Sequence, residues 1–140
     1  MSYTIAWAKA FALTATVEIL VVALLFRAGF LLPVKDGDGS AVTPAAPSRD
    51  RRAALLRLCA IAFFAQLVSH PSVWFIIPSL VPAYSQMVIV AELWAVVSEA
   101  LFYTLVVPGT PLRTAAGASL VANGCSLGLG LVMRSLTGWV

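Results

Sequence analysis

Four ionisable side chains lie inside long apolar runs, and these side chains are the best placed in the sequence to do chemistry: Glu18, His70, Glu92 and Glu99. A charged group at the centre of a bilayer costs roughly 2.5–3.5 kcal/mol on insertion scales. Such groups are therefore expected to be paired, to be protonated or to face a polar cavity. We expect these four residues to form one buried polar cluster.

The positions of the four residues along their runs predict two polar levels. At about 1.5 Å of rise per helical residue, His70 reaches the depth of Glu92, and Glu18 reaches the depth of Glu99. Two adjacent carboxylates cannot both ionise cheaply. We therefore expect one of Glu18 and Glu99 to hold a proton in a short contact with the other, unless a cation or metal lies between them.

Further polar residues share the same helix faces, because residues four apart along a helix lie one above the other. Each run thus offers one polar stripe, and the simplest bundle points all four stripes inward. The residues expected to support the cluster in this way are Thr14, Gln66, Tyr103 and Asn123.

Three functions are compatible with such a cluster. Transport or conduction of protons or cations needs ionisable groups at successive depths, and this is the favoured interpretation. An intramembrane enzyme is the alternative, and since three Glu and one His suit iron, manganese or zinc, it could depend on a metal. The motifs Glu-x-x-His and His-Glu-x-x-His do not occur, so the sequence identifies no catalytic residue, metal or cofactor. The third candidate is an accessory or assembly subunit whose glutamic acids only hydrogen-bond between helices.

The composition predicts that a lipid bilayer surrounds the elements that carry these residues. Hydrophobic residues make up 61% of the chain and charged residues 11%, whereas soluble domains carry about 25% charged residues. We expect an all-α, polytopic membrane protein with four transmembrane helices in an antiparallel bundle. It forms a single domain over residues 1–140, with spans at about 5–32, 53–78, 85–107 and 114–134 and a loop at about 33–52.

The second span contains a proline in its apolar run. Pro71 follows His70 directly, and a proline inside a helix removes one backbone hydrogen bond and clashes with the preceding turn. We expect this helix to be kinked or broken at His70–Pro71.

The basic residues predict the orientation in the cell membrane. Of the nine Lys and Arg residues, only Lys9 and Arg134 fall on the side of the termini, and seven fall on the side of the first and third loops. Since Lys and Arg are in excess in cytoplasmic loops, loop 33–52 is predicted to be cytoplasmic and both termini outside. The net charge of +3 is explained in this way, and a nucleic-acid partner is not expected.

Small residues recur along the last span and predict close helix packing, because they let two backbones approach. They pack either inside the monomer or in a homo-oligomer or against a larger membrane partner. Cys59 and Cys125 lie in apolar runs, where we expect packing residues rather than a disulfide. The small residues form one ladder with a four-residue spacing and a separate GxxxG pair: Thr114, Ala118, Ala122, Ser126, Gly130, and Gly124 with Gly128.

Overall fold

The computed structural model describes residues 2–30, 48–107 and 109–138, and every regular element in these ranges is helical. The helices are α1 (Tyr3–Arg27), α2 (Ser48–Pro71), α3 (Ile77–Leu80), α4 (Tyr84–Val106) and α5 (Leu112–Thr137), with a π-helical segment (Ser72–Ile76) between α2 and α3.

Four helical stretches in the described residues are long and apolar enough to cross a membrane. They are 23 to 30 residues long, and about 20 residues suffice for the hydrocarbon core. The expected class, an all-α multi-pass membrane protein, is supported on these grounds. The stretches are Tyr3–Arg27, Arg51–Leu80, Tyr84–Val106 and Leu112–Thr137.

The helices on either side of the first loop have other ends than the approximate spans predicted from hydropathy. Helix α1 ends at Arg27 rather than near residue 32, because the chain turns at Gly29, whose φ of 77° is in the left-handed region that suits glycine. Helix α2 begins at Ser48, so residues 48–52 form helix and not loop. Arginine is a good helix former, so the helix extends beyond the apolar run into its polar flank. The rest of the predicted loop, 33–47, lies outside the described residues.

The second span remains helical through Pro71, so it is not broken at that residue. The helix continues as the π-helical segment and then as α3. Pro71 has no N–H to donate to the carbonyl four residues earlier, and a π-turn is one way in which a helix absorbs such a mismatch. In this turn the N–H of Ile77 donates to the carbonyl of Ser72, five residues before it.

The helices contact one another in a ring around one core. Helix α1 contacts α2 and α5, and α4 contacts α5 and the second span. Tyr3, at the start of α1, donates its hydroxyl to the carbonyl of Trp74, near the end of the second span. Tyr84, at the start of α4, accepts a hydrogen bond from Arg134, near the end of α5.

Apolar and small side chains fill one half of the bundle, which we call the closed half. It lies between the C-terminal half of α1, the N-terminal half of α2, the last turns of α4 and the first turns of α5. Its buried residues are Val22, Phe26, Ala54, Leu58, Ala62, Ala65, Ala100, Tyr103, Val107, Ala115, Ala118 and Ala122.

The two sets of small residues in α5 have different environments. Ala118, Ala122 and Ser126 of the ladder are buried inside the monomer, whereas Thr114 and Gly130 are half-buried. Gly124 and Gly128 are exposed, and a Cβ atom built on either one meets no atom within 4 Å. Among the described residues, the ladder therefore makes the contact inside the monomer, and the GxxxG pair lies on the opposite face of α5.

Candidate functional site

Glu18 and Glu99 lie together in the middle of the bundle, each with 1% of its surface exposed. The side-chain amide of Gln66 bridges them: its nitrogen donates to Oε2 of Glu18 and, at 2.9 Å, to Oε1 of Glu99. The depth estimate from the sequence thus placed the right pair at one level. The two carboxyl groups are joined through this amide.

Glu99 accepts hydrogen bonds from four side chains. Besides Gln66, the hydroxyl of Ser69 donates to Oε1 at 2.9 Å. On the other oxygen, Ser119 donates at 3.1 Å and Nδ2 of Asn123 at 2.7 Å. All four donors are neutral groups, and together they supply both oxygens of the carboxylate with two donors each.

Glu18 has fewer partners. It accepts from Gln66 and, through Oε1, from the hydroxyl of Ser126 at 2.8 Å. Ser126 also lies 3.0 Å from the backbone carbonyl of Asn123. We call the whole set the carboxylate network: Glu18, Gln66, Ser69, Glu99, Ser119, Asn123 and Ser126.

A cavity of about 560 Å³ occupies the other half of the bundle. Its deepest polar residues, the cavity floor, belong to the carboxylate network: Gln66, Ser69, Asn123 and Ser126. At its far end it reaches three exposed side chains, the cavity rim: Tyr3, Tyr84 and Arg134. Glu18 and Glu99 lie one helical turn beyond Thr14 and Ala95, the last cavity-lining residues of α1 and α4.

His70 and Glu92, expected to form a second level, both line this cavity. His70 is buried among aromatic rings, stacked on Trp74 with ring centroids 6.2 Å apart and edge-on to Phe11 at 5.3 Å. Its Nδ1 atom is buried without a hydrogen-bond partner. Glu92 is half-buried in the part of the wall that α4 forms. The structure therefore separates the predicted cluster into a carboxylate network and a cavity wall.

The supporting residues are divided in the same way. Gln66 and Asn123 belong to the carboxylate network, and Thr14 lines the cavity. Tyr103 packs into the closed half instead. The serines of the network escaped the sequence analysis as polar partners. Spacing was the available signal, since Ser69 is three residues after Gln66, and Ser119 and Ser126 flank Asn123 at four and three residues.

Residues 2–30, 48–107 and 109–138 form no candidate metal site. No three His, Cys, Asp or Glu side chains in these ranges are grouped so that they could hold a metal ion. Cys59 and Cys125 are free thiols, half-buried and exposed respectively.

Comparisons of the chain with family models, with curated proteins and with solved structures find no match.

Proposed function

We propose that this protein moves protons across a membrane, with Glu18 and Glu99 as the site that binds and releases them. The observation that carries the proposal is a pair of fully buried carboxyl groups, bridged by one amide, directly beneath the floor of a cavity. Carboxyl groups inside a membrane bundle are rare and mark proton or ion pathways.

The two carboxyl groups have different roles in this proposal. Glu99, with four neutral donors, has the environment that an ionised carboxylate requires, since each oxygen accepts two hydrogen bonds. Glu18 has two donors, so Glu18 is the group that takes up and releases the proton. Ser126 lines the cavity and donates to Glu18, and its hydroxyl is the route between the two.

The donor groups around the carboxylates favour protons over metal cations as the transported species. An amide NH₂ lies between Glu18 and Glu99, where its hydrogens would repel a metal ion. A proton on Glu18 needs no set of ligands around it. The protonated carboxyl group can donate to a neighbouring hydroxyl that otherwise donates to the carboxylate.

The closed half of the bundle argues for a carrier rather than an open pore. The cavity gives access to the carboxylate network from the end that holds Tyr3 and Arg134, and packed apolar side chains separate the network from the opposite end. Passage through the protein therefore requires a second conformation in which that half opens.

We further propose an antiparallel arrangement of the four spans in the cell membrane, with a bend at His70–Pro71. The contacts of Tyr3 with Trp74 and of Tyr84 with Arg134 support antiparallel neighbours, since each joins the start of one helix to the end of another. The excess of basic residues supports cytoplasmic placement of residues 33–52 and exterior placement of both termini.

Proton flux into liposomes tests the proposal. Wild-type protein, reconstituted with a pH-sensitive dye inside and a potassium-valinomycin potential as driving force, should acidify the lumen. Glu18→Gln should abolish this flux, and Ser126→Ala should slow it. Ser98→Ala is the matched control, because Ser98 precedes Glu99 but bonds carbonyls of its own helix. Full flux in Glu18→Gln, or potential-driven uptake of sodium in place of protons, would contradict the proposal.

The open Gly124 and Gly128 pair supports a second candidate, a subunit that associates with a copy of itself or with a larger membrane partner. Glycines spaced four apart let helices approach closely, and none of the residues that the structure describes covers them. Dimer formation in a lipid environment that is lost in Gly124→Leu, together with no proton flux in wild type, would favour this candidate.

A further inference from the structure

The cavity above the carboxylate network offers hydrogen-bond acceptors to anything that enters it. On the floor, the amide nitrogens of Gln66 and Asn123 donate to the carboxylates and, for Asn123, also to Ser119. What these two amides can still offer is their oxygen atoms. The hydroxyls of Ser69 and Ser126 likewise donate to carboxylates, which leaves their lone pairs.

The ionisable groups that line the cavity are distributed unevenly between its interior and its rim. Below the rim, Glu92 is the one carboxyl group among the lining residues that the structure describes. Arg134, the one Lys or Arg among the described lining residues, lies at the rim and is held there by Tyr84, with its Cζ 5.0 Å from the ring centroid. An anion would therefore meet Glu92 and a set of acceptors, whereas a cation with N–H groups would find partners for both its charge and its hydrogens.

His70 belongs to the aromatic wall of the cavity, and 6% of its surface is exposed. Its ring stacks on Trp74, which also lines the cavity. This wall offers ring surface to a bound molecule.

The remaining walls are apolar and aromatic, and the volume fits a small organic molecule. Tyr3, Trp74 and Tyr84 line the cavity, and aromatic faces attract organic cations. The volume of about 560 Å³ falls in the usual range of roughly 300–1,000 Å³ for small-molecule sites.

We propose that the cavity binds a small organic cation with an ammonium group and an apolar body, held by Glu92 and the amide oxygens of Gln66 and Asn123. The assignment as a transported solute rests on the proposed function, in which proton release from Glu18 would drive its movement. Binding itself does not require proton movement, so binding and flux can be measured separately.

Equilibrium binding to the full chain in lipid nanodiscs, measured by calorimetry with empty nanodiscs subtracted, tests the inference. The probes are naphthylethylammonium, the neutral naphthylethanol and the anion naphthylacetate, which share one ring system. The ammonium should bind about tenfold or more tightly than the alcohol, as expected for a hydrogen-bonded charged group. The acetate should bind most weakly.

Three variants assign the binding to this cavity. Glu92→Gln should reduce the affinity for the ammonium to that for the alcohol. Gly130→Leu should abolish binding of all three probes, because Gly130 lines the cavity and has open space where its side chain would lie. Gly128→Leu is the matched control: it is on the same helix with equally open space but outside the cavity lining, and its binding should be unchanged.

Equal affinity of wild type for the ammonium and the alcohol would overturn the proposal, as would undiminished ammonium binding in Glu92→Gln or Gly130→Leu. The two proposals fail separately. Ammonium binding without proton flux would leave the binding site and remove the transport function, and proton flux without ammonium binding would do the reverse.

Discussion

At the scale of single residues, the decisive feature is the unequal treatment of two buried carboxyl groups. Glu99 accepts from four neutral donors and Glu18 from two, although both are 1% exposed. A buried donor that loses its acceptor retains the cost of its desolvation. The carboxylate of Glu99 therefore stabilises its four donors as acceptor, just as the donors stabilise the buried carboxylate.

The two substitutions at Glu99 should differ in their effect on stability. Glu99→Ala leaves the donors of Gln66, Ser69, Ser119 and Asn123 without an acceptor, and should lower the free energy of unfolding by at least about 2 kcal/mol. Glu99→Gln keeps one acceptor oxygen, and serine hydroxyls can rotate to accept from its amide, so its cost should be about 1 kcal/mol. Unfolding of purified protein in detergent measures both, and equal losses would show that packing alone matters at this position.

Gln66 should be energetically coupled to Glu18. Gln66→Leu removes the NH₂ group between the two carboxyl groups and leaves them facing each other, so it should destabilise the protein. In the background of Glu18→Gln the repulsion is absent, and the same change should cost less. The double-mutant cycle should give a coupling of about 0.5–3 kcal/mol. Strictly additive effects would contradict the bridging role of Gln66.

The sequence predicted the pairing of Glu18 with Glu99 because depth along a straight helix follows from residue count alone. It did not predict that His70 would stack on Trp74, because the position of Trp74 around the helix axis depends on the π-helical segment in which it lies. Nor did it predict the amide bridge, since the two N–H groups of Gln66 can be assigned partners only when three helices are positioned together.

At the scale of elements, helix α5 shows two faces with opposite tolerance for bulk. Ala122 is 1% exposed and lies in the closed half, whereas Gly124, two residues later, has open space around it. Sequence spacing identified both sets of small residues as packing surfaces. It could not tell which one faces the bundle, because either choice buries small side chains.

Bulk introduced on these two faces should have different results. Ala122→Leu should lower the free energy of unfolding by about 1–3 kcal/mol, because the core has no room for three more carbons. Gly124→Leu should leave the stability of the monomer unchanged or slightly raised, since leucine favours helix over glycine. Thermal unfolding in detergent at monomeric dilution makes the comparison, and a large loss in Gly124→Leu would place that face inside the bundle.

At the scale of the whole molecule, the bundle is asymmetric along its length. One half holds a cavity with polar groups, the other is packed with apolar side chains, and the carboxylate network lies at the boundary. The sequence predicted four spans because hydropathy identifies segments that can cross a bilayer. It predicted an orientation because Lys and Arg are in excess in cytoplasmic loops. The cavity depends on which small side chains meet, and hydropathy carries no information about this.

The proposed orientation places residues 33–47 in the cytoplasm. With Cys59 and Cys125 replaced by Ala, Ser40→Cys should react with a membrane-impermeant maleimide only after the cells are permeabilised. Gly138→Cys, near the end of α5, should react in intact cells. The opposite pattern would invert the topology, and with it the side from which the cavity is entered.

Access of water to the interior should follow the same asymmetry. In the cysteine-free background, Gly130→Cys lies in the cavity lining and should react with a small, charged methanethiosulfonate reagent applied from outside. Ala118→Cys, in the closed half, should not react, because no exposed surface reaches that position. Gly128→Cys separates cavity access from surface exposure. Its position is open within the described part of the monomer but outside the cavity lining. In a bilayer it should face lipid, where a thiol remains un-ionised and reacts slowly.

Reaction at Gly130→Cys should be reduced by naphthylethylammonium if that molecule occupies the cavity. Equal reactivity at all three positions would show that the closed half is open to water. That result would contradict a carrier with a single accessible end and would favour a pore.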